Sequence, residues 1–216
     1  MISILHPSYK RPEQAYQTYQ HWLSYATAKG LDIEWIVALN NTDEAVNNYV
    51  DAFTDSEAIL ISTAATNMVQ ATNAAASLAK YEILVLVSDD MYATEGWDRW
   101  LLKTFMELGQ APAVIQVHDG IRADICTLPI MNMAAYELLG YIYNPLYISL
   151  WADNDLAETA KAHGIYHAYD YTLADHRHYT NGKAKMDATY KKENSTIAWE
   201  HGKRTFERRK KLGFPL

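Results

Sequence analysis

The sequence predicts an α/β fold, in which a mainly parallel β-sheet carries helices on both faces. Strand-like and helix-like patterns alternate through the first two thirds of the chain, an order typical of parallel strands joined by crossover helices. The segment 83–87 contains only large aliphatic residues, which suits a strand buried on both faces. A length of 216 residues fits one domain of ordinary size, or one domain with a small appendage.

Strands are predicted from short aliphatic and β-branched runs bounded by polar turn residues. In chain order they lie at 2–5, 35–39, 58–61, 83–87, 113–117, 125–130 and 165–169. Helices are predicted where apolar residues recur at helical spacing. They lie at 13–29, 46–53, 67–80, 97–108, 132–139 and 153–163. Glycine accepts the left-handed conformation common at helix ends, and Gly30, Gly140 and Gly164 follow the helices predicted at 13–29, 132–139 and 153–163.

Composition excludes several classes of protein. Apolar residues make up 49% of the chain and charged residues 21%, which is typical of a globular protein rather than a disordered one. No apolar stretch approaches the length needed to cross a bilayer, and the amino end enters a strand pattern without a signal region. The single cysteine, Cys126, excludes an intramolecular disulfide framework and a cysteine-based metal site. We therefore expect a cytoplasmic protein.

The charge distribution is uneven along the chain. Residues 1–182 hold 9 Lys and Arg against 22 Asp and Glu, whereas residues 183–216 hold 10 against 4. We therefore expect a domain of net charge −13 at 1–182, followed by a basic, helical extension of net charge +6 at 183–216. The extension suits contact with a diphosphate, a nucleic acid or an anionic membrane. A solvated helix face explains the same pattern.

Polar residues follow the predicted strands at positions that meet at one edge of a parallel sheet. In chain order these residues are Pro7, Tyr9, Arg11, Asn40, Asp89 and Asp90. Open α/β sheets bind ligands at the carboxyl ends of their strands. Paired carboxylates at that edge suit a divalent cation, and a cation suits a phosphate-bearing substrate. The alternative is that Asp89 or Asp90 only caps the next helix.

Four polar residues in the second half of the chain extend this hypothesis. His176 and His178 point to the same face of an extended segment and are suitable metal ligands, although a solvated loop is the simpler interpretation. Asp153 and Asp155 open a predicted helix, where carboxylates also serve as ordinary N-terminal caps.

The order of these motifs resembles the family 2 glycosyltransferases, which have the GT-A (Rossmann-like) fold and use nucleotide-sugar donors. The similarity covers about residues 2–180 and rests on segments 4–12, 67–76, 88–90 and 151–156. The segment 88–90 resembles the family's DxD element, and 151–156 its acidic motif before a helix and a glycine. The resemblance implies donor contacts at Pro7, Tyr9, Arg11, Asn40, Asn67, Asn73 and Asp89.

The same resemblance implies the remaining roles. Asp90, with His176 or His178, holds Mn²⁺ or Mg²⁺, and Asp153 is the catalytic base. Trp151 and Asp155 contact or position the acceptor. The chain departs from the family where Asn40-Asn41-Thr42-Asp43 replaces Asp-Asp-Gly-Ser, where the DxD is compressed to Ser88-Asp89-Asp90, and where Ala152 replaces a glutamate.

The implied activity is transfer of a hexose or pentose from a nucleoside diphosphate sugar, with UDP favoured, to an acceptor hydroxyl with inversion. The acceptor stays open between a saccharide and a hydroxyl-bearing modified DNA base, as in a phage-type DNA-modifying enzyme. Two alternatives are a nucleotidyltransferase and a non-catalytic nucleotide-sugar-binding module. A nucleotidyltransferase usually has a glycine-rich loop after the first strand, and residues 7–12 contain no glycine.

Overall fold

A seven-stranded sheet forms the centre of the computed structural model, which describes residues 1–122 and 124–216. The strand order is β3-β2-β1-β4-β7-β6-β8. These strands are β1 (Ile2–Ser8), β2 (Ile33–Asn40), β3 (Ile59–Thr63), β4 (Ile83–Leu86), β6 (Val114–His118), β7 (Ile130–Asn132) and β8 (Tyr166–Thr172). β7 runs antiparallel to β4 and β6, while the other neighbouring strands are parallel. The predicted mainly parallel α/β sheet is therefore confirmed.

Helices cover both faces of this sheet. They are α1 (Pro12–Ser24), α2 (Val46–Ala52), α3 (Met68–Ala76), α4 (Trp97–Leu108), α5 (Met133–Leu139), α6 (Ala152–Ala162), α7 (Ala188–Glu193) and α8 (Thr196–Lys211). Alternate strand residues enter two separate cores, because successive side chains point to opposite faces. Val37 of β2 packs in the core that contains Trp22 and Trp97, while its neighbour Ile36 packs in the core that contains Leu156.

A small ribbon stands apart from the main sheet and carries part of the site. It pairs β5 (Met91–Ala93) with β9 (Ala174–His176) in antiparallel register, so that Met91 lies opposite His176. This pairing brings the end of the β4 segment close to the histidines near position 176. The sequence did not predict either strand, because each is three residues long.

Two predicted elements, a strand and a helix, differ most from those in the structure. The strand predicted at 125–130 exists only from Ile130 onward, because Cys126 and Leu128 are buried as a loop without strand partners. The helix predicted to reach residue 29 ends at Ser24. The amides of Thr27 and Ala28 instead donate to the carboxylate of Asp98 in α4, at 2.7–3.0 Å.

A buried ion pair connects helix α8 to helix α6. Asp155, 1% exposed, accepts a hydrogen bond from Nε of Arg209 at 2.7 Å and another from the Tyr147 hydroxyl at 2.9 Å. Gly202 lets the helix approach closely, since a Cβ at this position would overlap the carbonyl oxygen of Leu150. Residues 183–216 thus pack against the sheet domain through specific contacts.

We expect Arg209→Met to lower the free energy of unfolding by about 3–5 kcal/mol, because it leaves the Asp155 carboxylate buried without its cation. Urea unfolding measures the change. Arg208→Met is the matched control, since Arg208 is exposed on the same turn and its loss is expected to cost less than about 0.5 kcal/mol. Equal stability of the two variants would contradict a structural role for the pair.

Candidate active site at the carboxyl edge of the sheet

A cleft of about 260 Å³ opens at the carboxyl ends of β1, β2 and β4. This is the edge where open α/β sheets bind ligands. Ten of the residues predicted from sequence line it: Pro7, Tyr9, Arg11, Asn40, Asn67, Asp89, Asp90, Asp153, His176 and His178. The cleft thus combines side chains from both halves of the chain.

Three predicted site residues do not line this cleft. Asp155 points to the opposite side of α6 and pairs with Arg209, so the structure gives it no contact with an acceptor. Asn73 uses its side-chain amide on the backbone of Ile142 and Tyr143, and it therefore holds that loop rather than a donor. Trp151 packs instead against the aromatic rings of Trp199 and Phe206.

A potential metal-binding cluster lies at the floor of the cleft. One ligand atom each from Asp90, His176 and His178 lies within 4.8 Å of the other two. Asp90 is 4% exposed and accepts hydrogen bonds from the hydroxyls of Ser88 and Tyr190 at 2.5 and 2.7 Å. Burial opposes its ionisation, but hydrogen bonds from His176, Ser88 and Tyr190 hold the pKa of Asp90 well below its usual range. Asp90 is therefore an anion.

A hydrogen bond to Asp119 orients the ring of His176. The sequence analysis did not identify Asp119. Nδ1 of His176 lies 3.0 Å from the Asp119 carboxylate, and Nε2 lies 3.4 Å from Asp90. Burial alone would lower the pKa of His176, but the two carboxylates outweigh it and raise the pKa to about 9. Asp119 is fully buried and also accepts from the amides of Ile121 and Arg122. Carboxylates that orient a ligating histidine in this way are common behind metal sites.

Asp89 serves mainly to organise the base of the cleft. Its Oδ1 is 2.9 Å from Nε2 of His6, whose Nδ1 is 3.1 Å from the indole nitrogen of Trp35. Because an indole nitrogen only donates, Nδ1 of His6 accepts and Nε2 donates to Asp89. The other oxygen of Asp89 lies 3.8 Å from the guanidinium of Arg11. Asp89 is thereby fixed between a neutral histidine and a cation.

The short helix α7 lines part of the cleft. Asp187, its N-cap, accepts two hydrogen bonds of 2.8 Å from Arg11. The Arg11 guanidinium also stacks on the ring of Tyr190, at 4.0 Å from its centroid. Thr189 donates to the backbone oxygen of Tyr9 at 2.9 Å. Two predicted functional residues, Asp90 and Arg11, are therefore bonded to α7.

Asn40 and Asn67 line the wall of the cleft near these groups. Asn40 follows β2, and its side-chain oxygen accepts from the amide of Thr42 at 2.7 Å. Asn67 caps α3, and its side-chain oxygen accepts from the amide of Gln70 at 3.0 Å. Both side-chain oxygens are thus engaged in local turns at the edge of the cleft.

Asp153 also lines the cleft, from the first turn of α6. Trp151, just before the helix, has a φ of 76°, a left-handed conformation that starts the helix abruptly. Asp153 is half-buried, and burial raises the pKa of its carboxyl group above the usual value. A carboxylate of raised pKa facing a cleft is suited to accept a proton.

Comparison with known proteins identifies the fold. No protein-family model matches the chain, and a search of curated proteins finds no match. Among solved structures, TarS from S. aureus superposes with a TM-score of 0.64 at 12% identity, over 80% of this chain and 36% of that one. A mannosyltransferase from Pyrobaculum calidifontis, in complex with GDP-Man and Mn²⁺, gives 0.62 at 12% identity, over 99% and 72%.

A third similar structure is glucosyl-3-phosphoglycerate synthase from Mycobacterium tuberculosis, in complex with Mn²⁺, UDP and phosphoglyceric acid. It gives a TM-score of 0.57 at 15% identity, over 82% of this chain and 71% of that one. The chain spans 36% of TarS and 59% of its shorter form. These similarities confirm the GT-A fold that the sequence predicts. No helix in the described part of the chain is long and apolar enough to cross a bilayer.

Proposed function

We propose that this protein is a metal-dependent glycosyltransferase that uses a nucleoside diphosphate sugar, with UDP favoured as the nucleotide. The observation that carries the proposal is the shared cleft. Asp90, His176 and His178 lie at its floor and Asp153 on its wall, on a GT-A fold. Two of the similar structures contain Mn²⁺ with a GDP-sugar or UDP, which supports the same ligand class here.

The cluster fits a divalent cation by its chemistry. Asp90 offers an anionic oxygen, and two imidazoles complete a set that leaves positions open for phosphate oxygens. Imidazole nitrogen is a poor ligand for Mg²⁺, which prefers oxygen, so this set favours Mn²⁺ over Mg²⁺. When bound, the cation would offset the negative charge of the departing diphosphate.

The chain's own residues would bind and orient the donor. Arg11 supplies a guanidinium suited to bidentate phosphate contacts, once it exchanges Asp187 for the donor. The amide groups of Asn40 and Asn67, which line the cleft, would hydrogen-bond the nucleoside. Tyr9 adds an aromatic face beside them, of the kind that packs on a base or sugar.

Asp153 would act as the general base. Its carboxylate accepts the proton of an acceptor hydroxyl, whose oxygen then bonds to the anomeric carbon as the bond to the diphosphate breaks. Asp153 lines the cleft but is not a member of the metal-binding cluster, and a base separate from the leaving-group site suits attack from the opposite face, which would invert the anomeric centre. The acceptor is a saccharide or a hydroxyl-bearing modified DNA base, and the transferred group a hexose or pentose.

A thermal-shift screen of UDP-, GDP- and TDP-sugars, with and without Mn²⁺, tests the donor class. A ligand at about 100 times its Kd adds about 2.7 kcal/mol to stability. In a protein of this size that raises the Tm by about 5–10 °C. We expect this rise with one diphosphate sugar, and only when Mn²⁺ is present. No rise with any nucleotide-sugar, at millimolar concentration with metal, would rule the proposal out.

A further inference from the structure

The basic residues of α8 are the starting point for a further inference. Arg209 is buried and paired with Asp155. Among the described residues, no ion pair involves the other five cations of the helix, all of them exposed: Lys203, Arg204, Arg208, Lys210 and Lys211. Elsewhere on the surface, Lys10 pairs with Glu44 and Arg122 with Asp124, whereas Lys29 and Lys80 have no ion pair among the described residues. On α8, five exposed cations without an ion pair in the described part of the chain lie within the nine residues 203–211.

Four side chains of α8 line a shallow groove. The groove is lined by Leu146, His201, Arg204, Thr205 and Arg208. His201, Arg204 and Arg208 follow one another at three- and four-residue spacing, so they lie on one face of the helix along roughly 10 Å. The groove holds about 290 Å³, and Nε2 of His201 is 2.9 Å from the backbone oxygen of Leu146.

One loop connects the α8 groove with the candidate active site. This loop contributes Leu146 to the groove and Ser149 and Leu150 to the cleft. The close approach of Gly202 to Leu150 packs the helix directly against the loop. Asp153, which lines the cleft, follows Leu150 by three residues. A polymer lying in the groove is therefore in contact with the loop that leads to the proposed base.

Charge favours a polyanion in this groove over other surfaces of the protein. Residues 1–182 carry a net charge of −13 and repel a polyanion, while residues 183–216 carry +6. Arginine side chains in particular bind phosphate through two parallel hydrogen bonds. A phosphate-bearing chain would thus bind at one place and in a limited range of orientations.

We propose that the α8 groove binds the phosphates of a phosphodiester-linked acceptor and aligns its hydroxyl with Asp153. The inference rests on the proposed function, because it names the acceptor class of the same site. Arg204 and Arg208 hold phosphates on successive repeats of the polymer. Lys203, Lys210 and Lys211 add attraction at longer range.

Fluorescence anisotropy tests the groove directly, with labelled single-stranded and duplex DNA as probes and inorganic polyphosphate as competitor. The variant is Arg204→Glu/Arg208→Glu. Its matched control is Lys29→Glu/Lys80→Glu, which makes the same change in net charge at exposed positions on the amino edge of the sheet. We expect binding of wild type at low salt, at least about tenfold weaker binding by the groove variant, and little change in the control.

The salt dependence gives a second readout. Loss of two phosphate contacts is expected to reduce the slope of log K against log salt by about 1.4–1.8. If polyphosphate displaces the DNA, the groove recognises phosphate charge. If polyphosphate does not displace the DNA, the groove recognises nucleic acid itself. Equal weakening in the two charge-reversed variants, or no binding of either DNA by wild type at about 50 mM salt, would overturn the inference.

The donor response separates this inference from the proposed function. We expect the groove variant to retain the Mn²⁺-dependent Tm rise with nucleotide-sugar, because its changes are exposed and lie outside the cleft. The neutral variant Arg204→Gln/Arg208→Gln checks that any loss of DNA binding does not arise from misfolding. If wild type failed to bind DNA but kept the donor response, only the proposal that the α8 groove binds the acceptor would be wrong. Failure of the donor response in wild type would remove the enzyme proposal itself.

Discussion

Asp153→Asn is expected to reduce turnover by about 10²–10⁴-fold, the usual contribution of a general base. Asparagine has nearly the same shape but cannot take the proton of an attacking hydroxyl. Because Asp153 lies apart from the metal-binding cluster, the variant is expected to bind metal and donor nearly as wild type does. Steady-state kinetics and the thermal-shift response measure these two effects separately.

The pH profile makes this expectation sharper. A general base must be ionised, so turnover is lost as pH falls through the pKa of Asp153, which burial raises above the usual carboxyl value. This acidic limb is expected to disappear in Asp153→Asn. Asp170→Asn is the control, since Asp170 is fully exposed on β8 and lies outside the cleft. Unchanged turnover in Asp153→Asn would remove Asp153 from the role of base.

Asp90→Ala is expected to abolish the Mn²⁺-dependent stabilisation by nucleotide-sugar. Asp90 is the only carboxylate of the metal-binding cluster, so its loss leaves two imidazoles without an anionic ligand. We expect Mn²⁺ affinity, measured by electron paramagnetic resonance of the free ion, to fall more than about 100-fold. The readout does not depend on catalysis, so it tests the metal site alone.

Asp119→Asn is expected to weaken Mn²⁺ binding less than Asp90→Ala does. Asp119 contacts His176 but lies outside the metal-binding cluster, so its loss is expected to weaken Mn²⁺ binding by only about 10–100-fold. Asp124→Asn, an exposed acid that pairs with Arg122, is expected to have no effect. If Asp90→Ala bound Mn²⁺ as tightly as Asp124→Asn, the assignment of the cluster would be wrong.

The sequence was sufficient for the fold and for most of the cleft. Alternating periods of two and 3.6 residues define parallel strands with crossover helices, and those strands place their following residues at one edge. Asp89 and Asp90 reach the cleft for this reason. Asp119 also follows a strand, so the same rule could have found it. The resemblance to family 2 glycosyltransferases contained no motif at that position.

Side-chain direction explains why some predicted residues do not line the cleft. Asp153 and Asp155 are two residues apart on a helix, so they point about 200° apart and do not both face one cleft. The family resemblance implied roles for both, whereas helix geometry separates them. The contacts of α7 could not be predicted from local sequence patterns. Tyr190, for example, donates a hydrogen bond to Asp90, which is 100 residues away in the chain. Such pairings depend on tertiary packing that no local pattern specifies.

The position of α7 has a consequence for how tightly this protein would hold its donor. In the structure Asp187 satisfies Arg11, and Tyr190 satisfies Asp90, so the chain already fills the contacts that an incoming diphosphate and its metal would make. A donor would therefore have to displace Asp187 from Arg11 and Tyr190 from Asp90 before it could bind. The measured affinity would equal the intrinsic affinity multiplied by the fraction of molecules in which α7 has moved aside. Mutations in this helix could therefore tune donor affinity without touching a single residue that binds the sugar.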